Sequence, residues 1–158
     1  MIVIYIIQYC FALVLLIFST FASWYEGSAI LDDPWEWKYS TPFSQFLYGR
    51  AIQNIHQISQ LDHFVYAAKF HPTFPIIMVI SSFYLLILLG FHFLKGKPKW
   101  FIFYQSFLGG VLACLAFLFF NSVTIGGQIF FYISLLGGVL CIVTAVIFYF
   151  SDIKSQYS

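Results

Sequence analysis

Four apolar stretches dominate this chain, and each is long enough to cross a bilayer: residues 2–23, 74–94, 100–120 and 128–150. As helices rising ~1.5 Å per residue they reach about 31–35 Å, against a hydrocarbon core of ~30 Å. Almost all the charge lies outside them. Of 158 residues, 61% are hydrophobic and 8% charged, whereas a soluble domain carries about 25% charged residues. Water would find little polar surface to solvate, so lipid must be the main solvent. The expected fold is an all-α integral membrane protein with four transmembrane helices, forming a single membrane domain over residues 1–158. The net charge of +1 and the lack of a large basic cluster argue against a nucleic-acid partner.

Cys10, Cys114 and Cys141 all fall inside apolar runs and form no Cys-x-x-Cys pair. They read as small packing residues, not as a redox centre. The first run has no Lys or Arg before it and is longer than the ~7–15-residue core of a signal peptide. It is expected to stay as an uncleaved first helix. Lys95-Gly96-Lys97-Pro98-Lys99 places three of the seven basic residues within five positions. Basic residues near helix ends are retained in the cytoplasm, so 95–99 is expected inside. By alternation both termini are inside, and the 24–73 loop is extracytoplasmic. Trp24, Tyr25, Trp35, Trp37 and Tyr39 at one boundary, with Trp100 and Tyr104 at the other, read as interfacial aromatics.

The last two runs form a helical hairpin across the turn 121–127. Both carry small residues four apart: Gly109 with Ala113, Gly110 with Cys114, Ser134 with Gly138, and Gly137 with Cys141 and Ala145. Such faces let backbones approach in lipid. The expected use is packing within the chain, with a spare face for a homo-oligomer as the alternative.

The 24–73 loop carries most of the polar chemistry. Asp32-Asp33-Pro34 is a turn signal. Trp35-Glu36-Trp37-Lys38-Tyr39 alternates apolar and charged residues, a strand-like period; an extended piece is expected, with Trp35, Trp37 and Tyr39 facing the membrane. From 42 to 70, Leu47, Ala51, Ile55, Ile58, Leu61, Val65 and Ala68 recur at helical spacing. Thr41 and Pro42 supply a start, and Gly49 is a weak point. One amphipathic helix is expected here.

Trp24-Tyr25-Glu26-Gly27-Ser28, followed by the run from Asp33 through Trp35-Glu36-Trp37-Lys38-Tyr39 to Ser44, resembles the YjdJ-like family of small uncharacterised membrane proteins from bacilli. The resemblance covers about the first half of the chain. It implies a bacterial plasma membrane and carries no activity with it.

The candidate contacts for a partner or ligand are Trp24, Glu26, Asp33, Trp35, Glu36, Trp37, Lys38 and Tyr39, because aromatic contact area and charge concentrate there. His56 and His63, seven apart with Asp62 adjacent, are weaker candidates. A transition-metal site needs more converging ligands than these offer, so neither a metal nor a cofactor is expected. His92 lies one turn from a helix end and reads as interfacial. Three functions are open. The first is a non-enzymatic accessory protein that uses its aromatic loop to contact lipid or a membrane or cell-envelope protein. The second is a small transporter or channel subunit built around Ser81, Ser82 and Gln105. The third is a lipid-acting interfacial enzyme using Asp62 with His56 or His63.

Overall fold

The computed structural model describes residues 2–49, 52–94 and 96–157, and every regular element among them is helical. α1 (Ile2–Gly27) leads into short pieces: 3-10 turns at Ser28–Asp32 and Pro34–Glu36, α2 (Trp37–Ser40), α3 (Pro42–Tyr48), a 3-10 turn at Ile55–Gln57 and α4 (Gln60–Phe70). Three long helices follow: α5 (Thr73–Phe93), α6 (Pro98–Phe119) and α7 (Ile125–Tyr157). Among the described residues, α1, α5, α6 and α7 are the four helices long and apolar enough to cross a membrane.

Hydropathy locates these four but not all their ends. α1 continues past Ser23 through Trp24, Tyr25 and Glu26, and α7 continues past Phe150 to Tyr157. A helix does not stop where apolarity stops. Neither extension contains the Pro or interior Gly that would break it. Lys95 and Arg50 lie outside the described residues, as does Ala51 of the expected amphipathic helix.

Two expectations for the loop fail. The segment from Trp35 to Tyr39 is not extended: it is a 3-10 turn that passes directly into α2. Pro34 presets the torsion of the turn, and the Trp37 indole turns inward to donate to the Ile30 carbonyl at 2.8 Å. Side chains therefore leave at helical and not at alternating intervals, and Trp35 is 88% exposed while Trp37 is half-buried. Nor do residues 42–70 form one helix. α3 ends at Gly49, whose φ of +62° is left-handed, a conformation that glycine adopts without the steric cost of a Cβ. Asn54 and Ile58 are extended, and α4 starts afresh after Ser59, whose hydroxyl accepts from the Leu61 amide at 3.3 Å. The buried face is also not the expected one. Asp62, His63, Tyr66 and Ala67 are buried on α4, whereas apolar Leu61 is exposed.

The chain divides into two compact units. The first runs up to Ser82 and adds Thr124–Gly126. Within it α1 buries one narrow stripe, Ala12, Ser19, Ser23 and Gly27. Ser19 and Thr20 return their hydroxyls to carbonyls of their own helix, at 2.7 Å to Leu15 and Leu16 respectively. That satisfies them without a partner helix. α4 is seated by two glycines. A Cβ on Gly27 would overlap the His63 carbonyl oxygen, and a Cβ on Gly126 would overlap that of Ala68. Backbone thus meets backbone at both sites.

The second unit comprises Phe83–Val123 and Gly127 onward. Leu108, Leu112 and Cys141 are buried together, with Phe83, Tyr104 and Leu115 packed on them. α6 and α7 approach through their small residues: a Cβ on Gly109 would lie 3.2 Å from the Gly138 carbonyl and 2.9 Å from Ile142 Cγ1. The Gln105 amide donates across to Thr144 Oγ1 at 3.1 Å. This is the packing role expected of those residues. Gly110 and Cys114, by contrast, are exposed, and nothing lies within 4 Å of the Gly110 Cβ position.

These contacts predict an ordered glycine series. Gly27→Ala and Gly126→Ala each destabilise by about 1–3 kcal/mol, the usual cost of overpacking. Gly110→Ala is neutral or slightly stabilising because Ala is the better helix former. Thermal unfolding of the purified variants in one detergent measures the order; equal effects at all three positions would refute the contacts.

Candidate functional site

The connection from α1 to α5 folds into a cap that buries Ser40, Thr41, Ser44, Asp62 and His63. Its centre is Asp62, which is 0% exposed. One carboxylate oxygen accepts from the Phe43 amide at 3.0 Å, and the other accepts from the Ser44 amide at 3.0 Å and from the Ser44 hydroxyl. The first amides of a helix have no partner of their own. Thr41, the expected cap, turns its hydroxyl to the Trp37 carbonyl, and a residue from another helix takes its place. Ser44 also accepts from the Ser59 amide at 2.6 Å, just ahead of α4. One hydroxyl and one carboxylate therefore join the beginnings of α3 and α4.

A second cluster ties α2 to α4. Lys69 Nζ lies 2.6 Å from Glu36 Oε2 and 3.2 Å from Ser40 Oγ, and the Ser40 hydroxyl donates to the same Glu36 oxygen at 2.9 Å. The Lys69 hydrogen bond, with smaller help from Ser40 and the lysine charge, holds the Glu36 carboxyl below its ordinary value of 4.5 against an opposing effect of burial. Lys69 also sits 4.8 Å from the centre of the Phe70 ring. Beneath these groups Ile30, Ile52, Ile58 and Tyr66 form a small apolar core, with Leu31 and Trp37 packed on it.

A third cluster lies where α4 meets α1. The Trp24 indole donates to Gln60 Oε1 at 2.6 Å, and its ring stacks on His63 with centroids 5.9 Å apart. His63 is 2% exposed, and neither ring nitrogen makes a hydrogen bond of normal geometry. Burial holds its pKa below the ordinary 6.5; the nearby Trp24 carbonyl and the Asp62 charge oppose this only in part. Ser23 Oγ and Glu26 Oε2 are likewise buried without partners.

The structure thus sorts the sequence candidates. Trp24, Glu36 and Trp37 hold the cap together. Asp33 offers its carbonyl to the Glu36 amide at 3.1 Å, at the junction of two 3-10 turns. Trp35, Lys38 and Tyr39 are exposed, with the Lys38 ammonium 5.5 Å from the Tyr39 ring centre. His56 is exposed on its own 3-10 turn, so it no longer shares a helix face with His63. Asp62 is engaged by α3 and hydrogen-bonds to neither histidine. No three His, Cys, Asp or Glu side chains converge as metal ligands among the described residues. Ser81 and Ser82 return their hydroxyls to the Ile77 and Met78 carbonyls at 2.7 and 2.8 Å.

Sequence reasoning missed Ser40, Ser44, Ser59 and Gln60. One signal was present: Ser59-Gln60-Leu61-Asp62 has the Ser-x-x-acid pattern of a helix start.

The segment 6–94, which contains most of α1, this whole cap and α5, matches the family described as a domain of unknown function, DUF4306. The chain belongs to this family. It is also 37% identical to the uncharacterised protein YjdJ of Bacillus subtilis (strain 168) over 82 residues, which are 51% of this chain and 75% of that one. No solved structure matches. α6 and α7 lie outside the matched segment.

Two predictions follow from the cap. Asp62→Ala strips a buried cap and leaves donors unsatisfied, so it should destabilise by about 2–3 kcal/mol. Asp62→Asn should retain part of this. Hydrogen exchange at the Phe43 and Ser44 amides measures both. Acid should loosen the cap in two windows. Above pH 6.5 His63 is neutral whether the cap is folded or open. As pH falls below 6.5 the open state takes up the proton first, so stability falls, and it levels off below the depressed folded value. The Glu36 contribution persists until pH falls below 4.5 and is then lost. His63→Leu should abolish the upper window alone, read by Trp24 fluorescence against pH.

Proposed function

We propose that this chain is a multi-pass protein of the bacterial plasma membrane with both termini inside, and that its cap is an extracytoplasmic interaction module without enzymatic activity. The observation that carries the reading is the arrangement of the cap itself. Asp62 and Ser44 are buried and bonded to each other, and Glu36, Ser40 and Lys69 are bonded to one another, while Trp35, Tyr25 and Tyr39 are left outside. Aromatic rings give large contact area for little loss of side-chain freedom, which suits recognition. The basic residues around Pro98 support the inward placement of that turn.

Orientation is tested with single cysteines at Lys38 and Lys97 in a background lacking Cys10, Cys114 and Cys141. An impermeant maleimide added to intact cells should label position 38 and not 97; the reverse pattern overturns the reading. A photo-crosslinking residue at Trp35 should capture a discrete adduct, lipid or protein, that Trp35→Ala removes from cap-specific pull-downs. Failure to trap any adduct, with the cap still folded, counts against an interaction module.

A further inference from the structure

α3 is inside out for a helix in water. Phe43, Phe46 and Leu47, at three- and four-residue spacing, share one face, and all are exposed, Phe46 to 87%. Its polar residues face the opposite way. Ser44 is buried against Asp62, and the Gln45 amide donates to the Trp37 and Lys38 carbonyls at 3.1 and 2.8 Å. No charged side chain lies between Pro42 and Tyr48.

The first amides of this helix, and the amide just past its last residue, are also satisfied from within. The Phe43 and Ser44 amides are taken by Asp62, the Gln45 amide by the Thr41 carbonyl at 3.0 Å, and the Gly49 amide returns to the Gln45 carbonyl at 2.9 Å. A helix facing water would not need its first amides tied down by a buried carboxylate, because water can supply acceptors there. A helix entering a less polar layer does need it, since every free amide is costly to desolvate. Position adds a third argument. α3 lies in the connection between α1 and α5, two helices suited to crossing a membrane, so it is tethered where such helices emerge.

Resting on the membrane reading above, we infer that α3 is an interfacial anchor: its Phe43, Phe46 and Leu47 face is seated in the headgroup–acyl boundary of the bilayer that the chain itself crosses. Asp62 then acts as the device that lets a short, neutral helix lie there with its first amides satisfied. The cap is held down against the lipid surface by this face, and Trp35 and Tyr39 remain as the residues presented for recognition.

The test uses the full chain in phosphatidylcholine–phosphatidylglycerol vesicles, lacking its three native cysteines and carrying one bimane-labelled cysteine. Phe46→Cys removes an exposed side chain and leaves the internal bonds of α3 untouched; Leu47→Cys provides a second reading of the same face. Lys38→Cys is the aqueous reference and Phe11→Cys the bilayer reference. Positions 46 and 47 should show blue-shifted emission, quenching by lipids with a nitroxide near the headgroup, and little quenching by iodide. Emission and iodide quenching like those at 38 would overturn the proposal. So would shielding from both quenchers, which would mean that a second copy or another protein covers the face. If position 11 also escapes lipid quenching, the membrane reading itself fails; if 11 is quenched and 46 is not, only the anchor fails.

Discussion

A single buried carboxylate sets the shape of the cap. Asp62 belongs to α4, yet its oxygens complete the start of α3. Such a group costs several kcal/mol to desolvate unless hydrogen bonds replace its water. Three donors from one helix start, in the favourable direction of the helix dipole, do so. Ser44 then passes the connection on to the Ser59 amide. α3, the bend after it and α4 therefore fix one another, and the Ile30–Tyr66 core closes beneath them.

The three polar clusters of the cap divide the work by strength. Asp62 is fully enclosed and orders the backbone. The Glu36–Lys69 pair is partly exposed and, as an ion pair in contact with water, adds little on its own; with Ser40 it serves to orient α2. His63 is the weak member, a buried ring without normal hydrogen bonds, set where α4 leans on the α1 backbone at Gly27.

The four long apolar helices were legible in the sequence because their signal is a sum over about twenty residues, which no single contact can reverse. The small-residue packing of α6 on α7 was legible for the same reason: small residues recur four apart on each helix, Gly109 with Ala113 and Ser134 with Gly138. The cap was not, because its decisive residues act across the chain. Asp62 and His63 look like surface residues in a helical pattern, and no local rule says that a buried partner waits at Ser44 or Trp24. The strand-like alternation from Trp35 to Tyr39 was overridden by one tertiary bond, that of Trp37 to Ile30. Gly49 was visible as a weak point, and it became a helix end once its left-handed torsion was used. The Ser59–Asp62 pattern held the rest, since it marks the start of α4 and argues against a continuous helix.

The seat of α4 crosses the edge of the family. The matched segment ends at residue 94, yet the Ala68 carbonyl rests on Gly126, well beyond it. A member of the family whose chain carries a side chain at that later position must tilt or displace this helix, or do without the contact. The matched portion and the portion beyond it are therefore not free to diverge separately in this chain: a glycine in one is a standing constraint on the path of the backbone in the other.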